Sequence, residues 1–213
     1  MIKSAAIEKG YLKPEDEIDP EKAFLLVRDM PYARASSRDP ETTIKEWRGT
    51  CSGKHYLLKE LFRELGYSSR MIACTSVSLL DPKKYWGKMR KLLKESGGKF
   101  VDVHNYLILK LPDGEMIVDA TWPIYAVGME TVINKDFVLG VNQKIAVEPI
   151  ESWVVPDDRV AQEFKDELLN DSFSPEELAH REELVETVSK MANNKLIKFL
   201  VWLEKRIKGE VKR

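Results

Sequence analysis

Residues Phe100 to Trp122 read FVDVHNYLILKLPDGEMIVDATW, and this stretch decides the fold class. Val101, Val103, Asn105, Leu107, Leu109 and Leu111 fall on one side of an extended segment. His104, Tyr106, Ile108 and Lys110 fall on the other, because successive strand side chains point to opposite faces. Pro112-Asp113-Gly114 then makes a turn, since Pro presets one dihedral and Gly takes positive φ. Met116 to Thr121 returns as the partner strand, so the segment predicts an antiparallel hairpin.

Two polar residues of the hairpin need an explanation. Asp119 sits within Ile117-Val118-Asp119-Ala120-Thr121-Trp122, where an unpaired carboxylate is costly to bury. If Pro112 and Asp113 are the central turn residues, His104 lies opposite Thr121 and Asp119 is its diagonal neighbour. Diagonal neighbours are roughly 7–8 Å apart at the backbone, within reach of long side chains. A turn centred one residue later separates the pair unless a bulge restores the face. The register thus permits a His104–Asp119 hydrogen bond without requiring it. Such a bond is what orients a catalytic base.

Working upstream, Tyr56, Leu57, Leu58, Leu61, Phe62 and Leu65 recur at helical spacing, and Gly66 suits a C-cap. A helix is expected from about Cys51 to Leu65, approached through Gly49-Thr50. Cys51 then stands at its N-terminus, where free N–H groups and the helix dipole favour a thiolate. The same groups suit an oxyanion, and Gly49 leaves room for a substrate backbone.

The remaining elements follow from similar signals. Pro20 to Arg28 reads as a helix, and Met30 to Arg48 as mostly loop. Arg70 to Leu80 reads as a strand, Pro82 to Glu95 as a basic amphipathic helix, and Gln143 to Pro149 as a further strand. Pro156 to Leu169 is expected to be helical. Ser174-Pro175-Glu176-Glu177 starts another helix, with Ser174 as N-cap and Glu177 closing a capping box. Its apolar positions carry it toward Ile207. The expected division is a core over residues 1–155, with an N-terminal helical segment, and a C-terminal helical appendage over 156–213.

Composition narrows the function classes. With 43% hydrophobic and 32% charged residues over 213 positions, the chain can fill a core. Lys and Arg total 34 against 35 Asp and Glu, a net charge of −1, which argues against a dedicated nucleic-acid binder. The late apolar stretch Leu196 to Leu203 is short and holds Lys198, so no membrane span is expected. Cys51 and Cys74 are the only cysteines, which suits a reducing cytoplasm rather than a disulfide scaffold.

Three motifs in order carry a resemblance. Gly49-Thr50-Cys51-Ser52-Gly53-Lys54-His55, followed by Leu57-Leu58 and Leu65-Gly66-Tyr67-Ser68-Ser69-Arg70, resembles the nucleophile helix of the transglutaminase-like superfamily. Val103-His104-Asn105-Tyr106-Leu107 resembles its histidine strand, and Val118-Asp119-Ala120-Thr121-Trp122-Pro123 its aspartate strand. The likeness covers Arg48 to Pro123. It departs at Asn105, where many members carry a small residue, while Tyr106 keeps the usual aromatic. That departure touches substrate preference rather than the triad.

The resemblance implies an α+β, papain-like core in which the nucleophile helix packs on an antiparallel sheet, with extra C-terminal helices here. It implies a Cys51–His104–Asp119 triad for amide hydrolysis or acyl transfer through a thioester, acting on a protein or peptide substrate. It requires neither metal nor organic cofactor, and no nucleic acid or membrane partner. The main-chain N–H of Cys51 would be one oxyanion donor, with Tyr32, Lys45 and Trp47 as candidates for a side-chain donor. The alternative is a non-catalytic domain of the same fold that binds protein partners.

Blander readings attach to other residues. Cys51 and His55 lack further zinc ligands at finger spacing, so His55 is read as a helix-face residue touching a neighbouring element. Cys74 is read as core. Lys83, Lys84, Lys88, Arg90, Lys91 and Lys94 read as a solvated helix face. Trp86, Trp122, Trp153 and Trp202 read as packing anchors, with Trp122 placed to line a cleft.

Overall fold

Ser68–Leu79 (β1) pairs antiparallel with Lys99–Leu111 (β2), from Ser68 against Lys110 to Leu79 against Lys99. The computed structural model describes residues 2–126, 131–157 and 161–192. Gly114–Val118 (β3) returns along β2, and Ser152–Val154 (β4) joins the other edge of β1. The result is a four-stranded antiparallel sheet in the order β3-β2-β1-β4, with helices packed against it in an α+β fold. Leu111 faces Gly114, so the hairpin turn is centred on Pro112 and Asp113, the register that makes Asp119 a diagonal neighbour of His104.

The alternation along β2 sorts its side chains as expected. Val103, Leu107 and Leu109 enter the main core with Leu57, Leu58 and Phe62 of α4 (Cys51–Glu64). Tyr106 and Ile108 face away and pack with Ile72, Cys74 and Ile117. α4 ends at Leu65, and Gly66 follows with φ of +86°, a left-handed conformation that glycine adopts without strain.

Before α4 the chain is more helical than its composition suggests. Lys3–Glu8 (α1) and Pro20–Arg28 (α2) precede Pro40–Glu46 (α3), which lies in the expected loop. The local signal for α3 is sound: Asp39 accepts a 2.8 Å hydrogen bond from the Thr42 N–H, and Pro40 opens the helix. Pro82 to Glu95 is not one helix. It divides into a 3-10 turn at Pro82–Lys84 and α5 (Gly87–Glu95). Trp86 at this junction is 66% exposed and anchors nothing.

The strand expected at Gln143 to Pro149 is absent, and β4 forms later. After one backbone bond, from Gln143 N–H to the Ile117 carbonyl of β3, the segment turns to side chains: Lys144 N–H donates to Asn134 and Ala146 N–H to Asp119. Ile145 and Val147 still pack beneath Tyr106. Two further helices follow, α6 (Ala161–Ser172) and α7 (Pro175–Ala192). The capping box at the start of α7 is reciprocal: Glu177 N–H donates to Ser174 Oγ at 3.3 Å, and Ser174 N–H to Glu177 Oε2 at 2.8 Å. The extension toward Ile207, with Trp202, lies outside the described residues. Leu169 of α6 joins the main core, and Leu184 of α7 packs on Met89, Leu92 and Leu93 of α5. Among the described residues no helix is long and apolar enough to cross a membrane.

Candidate active site

Cys51 opens α4 after Thr50, whose backbone is extended and whose side chain makes no capping hydrogen bond. The N–H groups of the first turn are therefore not capped by Thr50. Gly49 is tightly placed, since an added Cβ would lie 3.1 Å from the Lys54 nitrogen and 3.2 Å from Lys54 Cγ. Its missing side chain makes room for the helix's own first turn.

The histidine and aspartate of the hairpin meet directly. His104 Nε2 lies 2.8 Å from Asp119 Oδ2, with both side chains buried. Asp119 also accepts from Ala146 N–H at 2.7 Å and from Thr121 N–H at 3.0 Å. Burial disfavours an imidazolium, but the Asp119 carboxylate and then the Cys51 sulfur together outweigh it and push His104 up to about 10. Burial likewise works against the Asp119 charge, yet His104 holds that carboxyl well below the usual range.

Cys51 is 2% exposed. Lys165 Nζ from α6 lies 3.9 Å from its sulfur, and Ser52 Oγ 4.0 Å away. Burial opposes ionisation, but Lys165 and then His104 prevail and bring the thiol down to about 6. Lys165 also lies 3.3 Å from Asp102 Oδ1, the oxygen that Arg181 of α7 binds through Nε at 2.9 Å and Nη2 at 2.6 Å. Burial raises the Asp102 carboxyl, and these two cations more than compensate, leaving it at about 2. Asp102 precedes His104 by two residues and shares its face of β2.

Sequence reasoning missed several neighbours of this site. Lys165 and Arg181 come from helices far along the chain, with no local motif to mark them. Asn105 was visible as a departure, and its role is to accept from Ser52 Oγ at 2.7 Å and donate to the Ile72 carbonyl at 3.2 Å. His55 is buried, with Nδ1 placed 2.8 Å from the Cys51 carbonyl and Nε2 accepting from Ala120 N–H at 2.8 Å. These partners assign its proton to Nδ1, and burial drives its pKa down to about 4. With both nitrogens engaged, His55 offers no lone pair to a metal. Among the described residues no group of three His, Cys, Asp or Glu side chains could hold one.

The other candidates separate cleanly. Tyr32 stacks on Trp122 with ring centroids 4.2 Å apart, and burial followed by the Cys51 charge raises its phenol well above 10. Lys45 is exposed on α3, and Trp47 stacks on Tyr11. Of the three oxyanion candidates, Tyr32 is the one that senses the sulfur. Cys74 lies in the core of β1, where burial pushes its thiol up to about 12.

The chain matches no family model, no curated protein and no solved structure. Its chemistry is read from the side chains alone. They supply a buried thiol that ionises near neutrality and an imidazole held cationic by a buried carboxylate.

Proposed function

We propose that this chain is a transglutaminase-like thiol enzyme with a papain-like core, in which Cys51, His104 and Asp119 act as the catalytic triad. The observation that carries this reading is the 2.8 Å His104–Asp119 hydrogen bond beside a thiol with depressed pKa. In this mechanism the Cys51 sulfur attacks a substrate amide carbonyl, and a carbon–sulfur bond forms as the carbonyl π bond opens. The N–H groups of the first turn of α4 would stabilise the oxyanion. His104, protonated through Nδ1 while Nε2 rests on Asp119, gives its proton to the departing amine. The acyl thioester then passes to water or to a second amine, with His104 taking the acceptor's proton.

The substrate class we propose is a protein or peptide amide. The free thiols Cys51 and Cys74 fit a reducing, cytoplasmic setting. In this reading the catalytic core spans residues 1–155, and of the C-terminal addition α6 reaches that core through Leu169.

The near-complete burial of Cys51 favours a second reading, a non-catalytic domain that binds protein partners. Incubation with a peptide library, with and without a labelled amine, distinguishes the two. Enzyme action gives hydrolysed or amine-labelled products that vanish in Cys51→Ala. Identical product masses with the wild type and Cys51→Ala would eliminate the enzymatic reading.

A further inference from the structure

The geometry points to α6 and α7 as a built-in cover over Cys51 that slows access to its sulfur until they swing away. Gating of access to the sulfur stands on contacts alone, while its meaning as a brake on turnover rests on the nucleophile role proposed for Cys51.

Two buried cations carry the cover into the site. Lys165, 4% exposed, projects from α6 to within 3.9 Å of the Cys51 sulfur. Arg181, 5% exposed, projects from α7 onto Asp102, two residues from His104. Lys165 occupies the approach to the sulfur, and both cations share Asp102 Oδ1. An acyl carbonyl attacked by Cys51 must come within van der Waals contact of that sulfur, so a substrate has to displace Lys165.

Leu169 of α6 reaches the main core and Leu184 of α7 packs on α5, but the rim of the seam is polar and open. Three ion pairs bridge it at the surface: Arg34–Glu182 at 2.7 Å, Lys88–Glu183 at 2.9 Å and Lys99–Glu177. Cavities of about 370, 110 and 140 Å³ run along it. The largest lies between the α4 N-terminus, at Thr50 and Gly53, and Asp166 and Arg181 of the cover. The second lies between Tyr32 and Trp122 on the core side and Leu184 and Val188 on α7. These are clefts open to the surface, and the elements that open first are those with exposed polar contacts. By contrast Leu57, Leu58 and Phe62 on the inner face of α4 are wholly buried.

A charge swap on the full chain tests the cover. The triple variant Arg34→Glu, Lys88→Glu, Lys99→Glu turns the three surface attractions into repulsions at side chains that are 50%, 55% and 43% exposed, where folding tolerates the change. Iodoacetamide labelling, followed by peptide mass mapping, reads access to Cys51, with Cys74 in β1 as a buried internal control. Labelling of Cys51 should accelerate about tenfold in the triple variant, since exposed pairs are individually weak but act together here. Adding Glu182→Arg, Glu183→Lys and Glu177→Lys should restore the slow rate.

Wild-type labelling should also quicken with added salt, which screens exposed pairs and needs no substitution. A wild-type Cys51 that labels as fast as free cysteine overturns the cover. So does a folded triple variant with unchanged labelling. If the triple variant labels quickly yet forms no thioester with any peptide, the cover stands and the acyl-transfer reading falls.

Discussion

Ser52 donates a 2.7 Å hydrogen bond to Asn105, tying the residue after the sulfur to the residue after the imidazole. Asn105 also donates to the Ile72 carbonyl in the neighbouring strand, so one amide pins α4, β2 and β1 together. Both side chains are buried. Asn105→Ala strands the Ser52 hydroxyl and the Ile72 carbonyl, at a cost of about 1–3 kcal/mol. Because the amide sets spacing and touches no substrate, kcat should fall about tenfold with KM near the wild-type value. A double-mutant cycle with Ser52→Ala should return a coupling of about 1 kcal/mol. Strict additivity, with kcat intact, would show that the bond positions nothing.

The thiolate should be present at neutral pH. Cys51 in the folded chain ionises near 6 and His104 near 10, so the ion pair fills the interval between them. The ultraviolet thiolate absorbance of wild type minus Cys51→Ser should titrate with a midpoint close to 6. Free cysteine titrates at about 8.5. His104→Ala removes one of the stabilising charges and should move the midpoint upward. Both shifts stabilise the fold, with opposite dependence on pH. The lowered Cys51 contribution is full above 9 and fades as pH falls through about 6. The raised His104 contribution is full below 6.5 and fades as pH rises through about 10. An unshifted thiol midpoint in the wild type would remove the ion pair.

Asp119→Asn places an amide where a carboxylate accepts from His104 and two backbone N–H groups. An Asn has a single acceptor oxygen, so at least one of those donors meets an NH2 group. The imidazolium loses its counter-charge, and kcat should drop by about 10²–10⁴. The His104 titration, read by NMR, should move downward from its raised position. Asp119 is depressed in the fold, so its stabilisation is present above the ordinary carboxyl value of 3.8 and fades as pH falls through its lower folded value. On the acid side the wild type should therefore keep its advantage over Asp119→Asn until strong acid is reached. Equal stability of the two at neutral pH would show the carboxylate to be dispensable.

Local periodicity made the centre of the fold legible. Leu57, Leu58, Leu61 and Phe62 announce α4, and the Pro112-Asp113-Gly114 turn aligns Asp119 with His104. What stayed hidden depends on partners distant in sequence. Asp102 reads as a strand polar residue until Lys165 and Arg181 arrive from α6 and α7, and an ion pair across such separation leaves no spacing pattern. The Ile145 and Val147 run looked like a strand because apolar character marks burial, whereas strand pairing needs free backbone groups, which Asn134 and Asp119 had taken. α3 is a different failure, since Asp39-Pro40 is a helix start that loop-like composition outweighed.

Lys54 offers a last test, through stability rather than activity. It is wholly buried, one helical turn inside α4, and its Nζ donates to the Arg28 carbonyl at 2.8 Å and the Thr121 carbonyl at 2.9 Å. Those bonds tether α2 and the segment after β3 to α4. Burial pulls its ammonium from 10.5 down to about 7. Between these values the unfolded chain binds a proton that the folded chain releases, so this group makes stability rise with pH across that window. Lys54→Met keeps the bulk, discards the charge and leaves two carbonyls unsatisfied, at about 1–3 kcal/mol. The Tm difference between wild type and Lys54→Met should widen from about 7 toward 10 and level off at its smallest below 7, where wild type bears the full cost of a buried charge. A difference that stays flat with pH would mean the lysine remains charged in the fold at every pH tested.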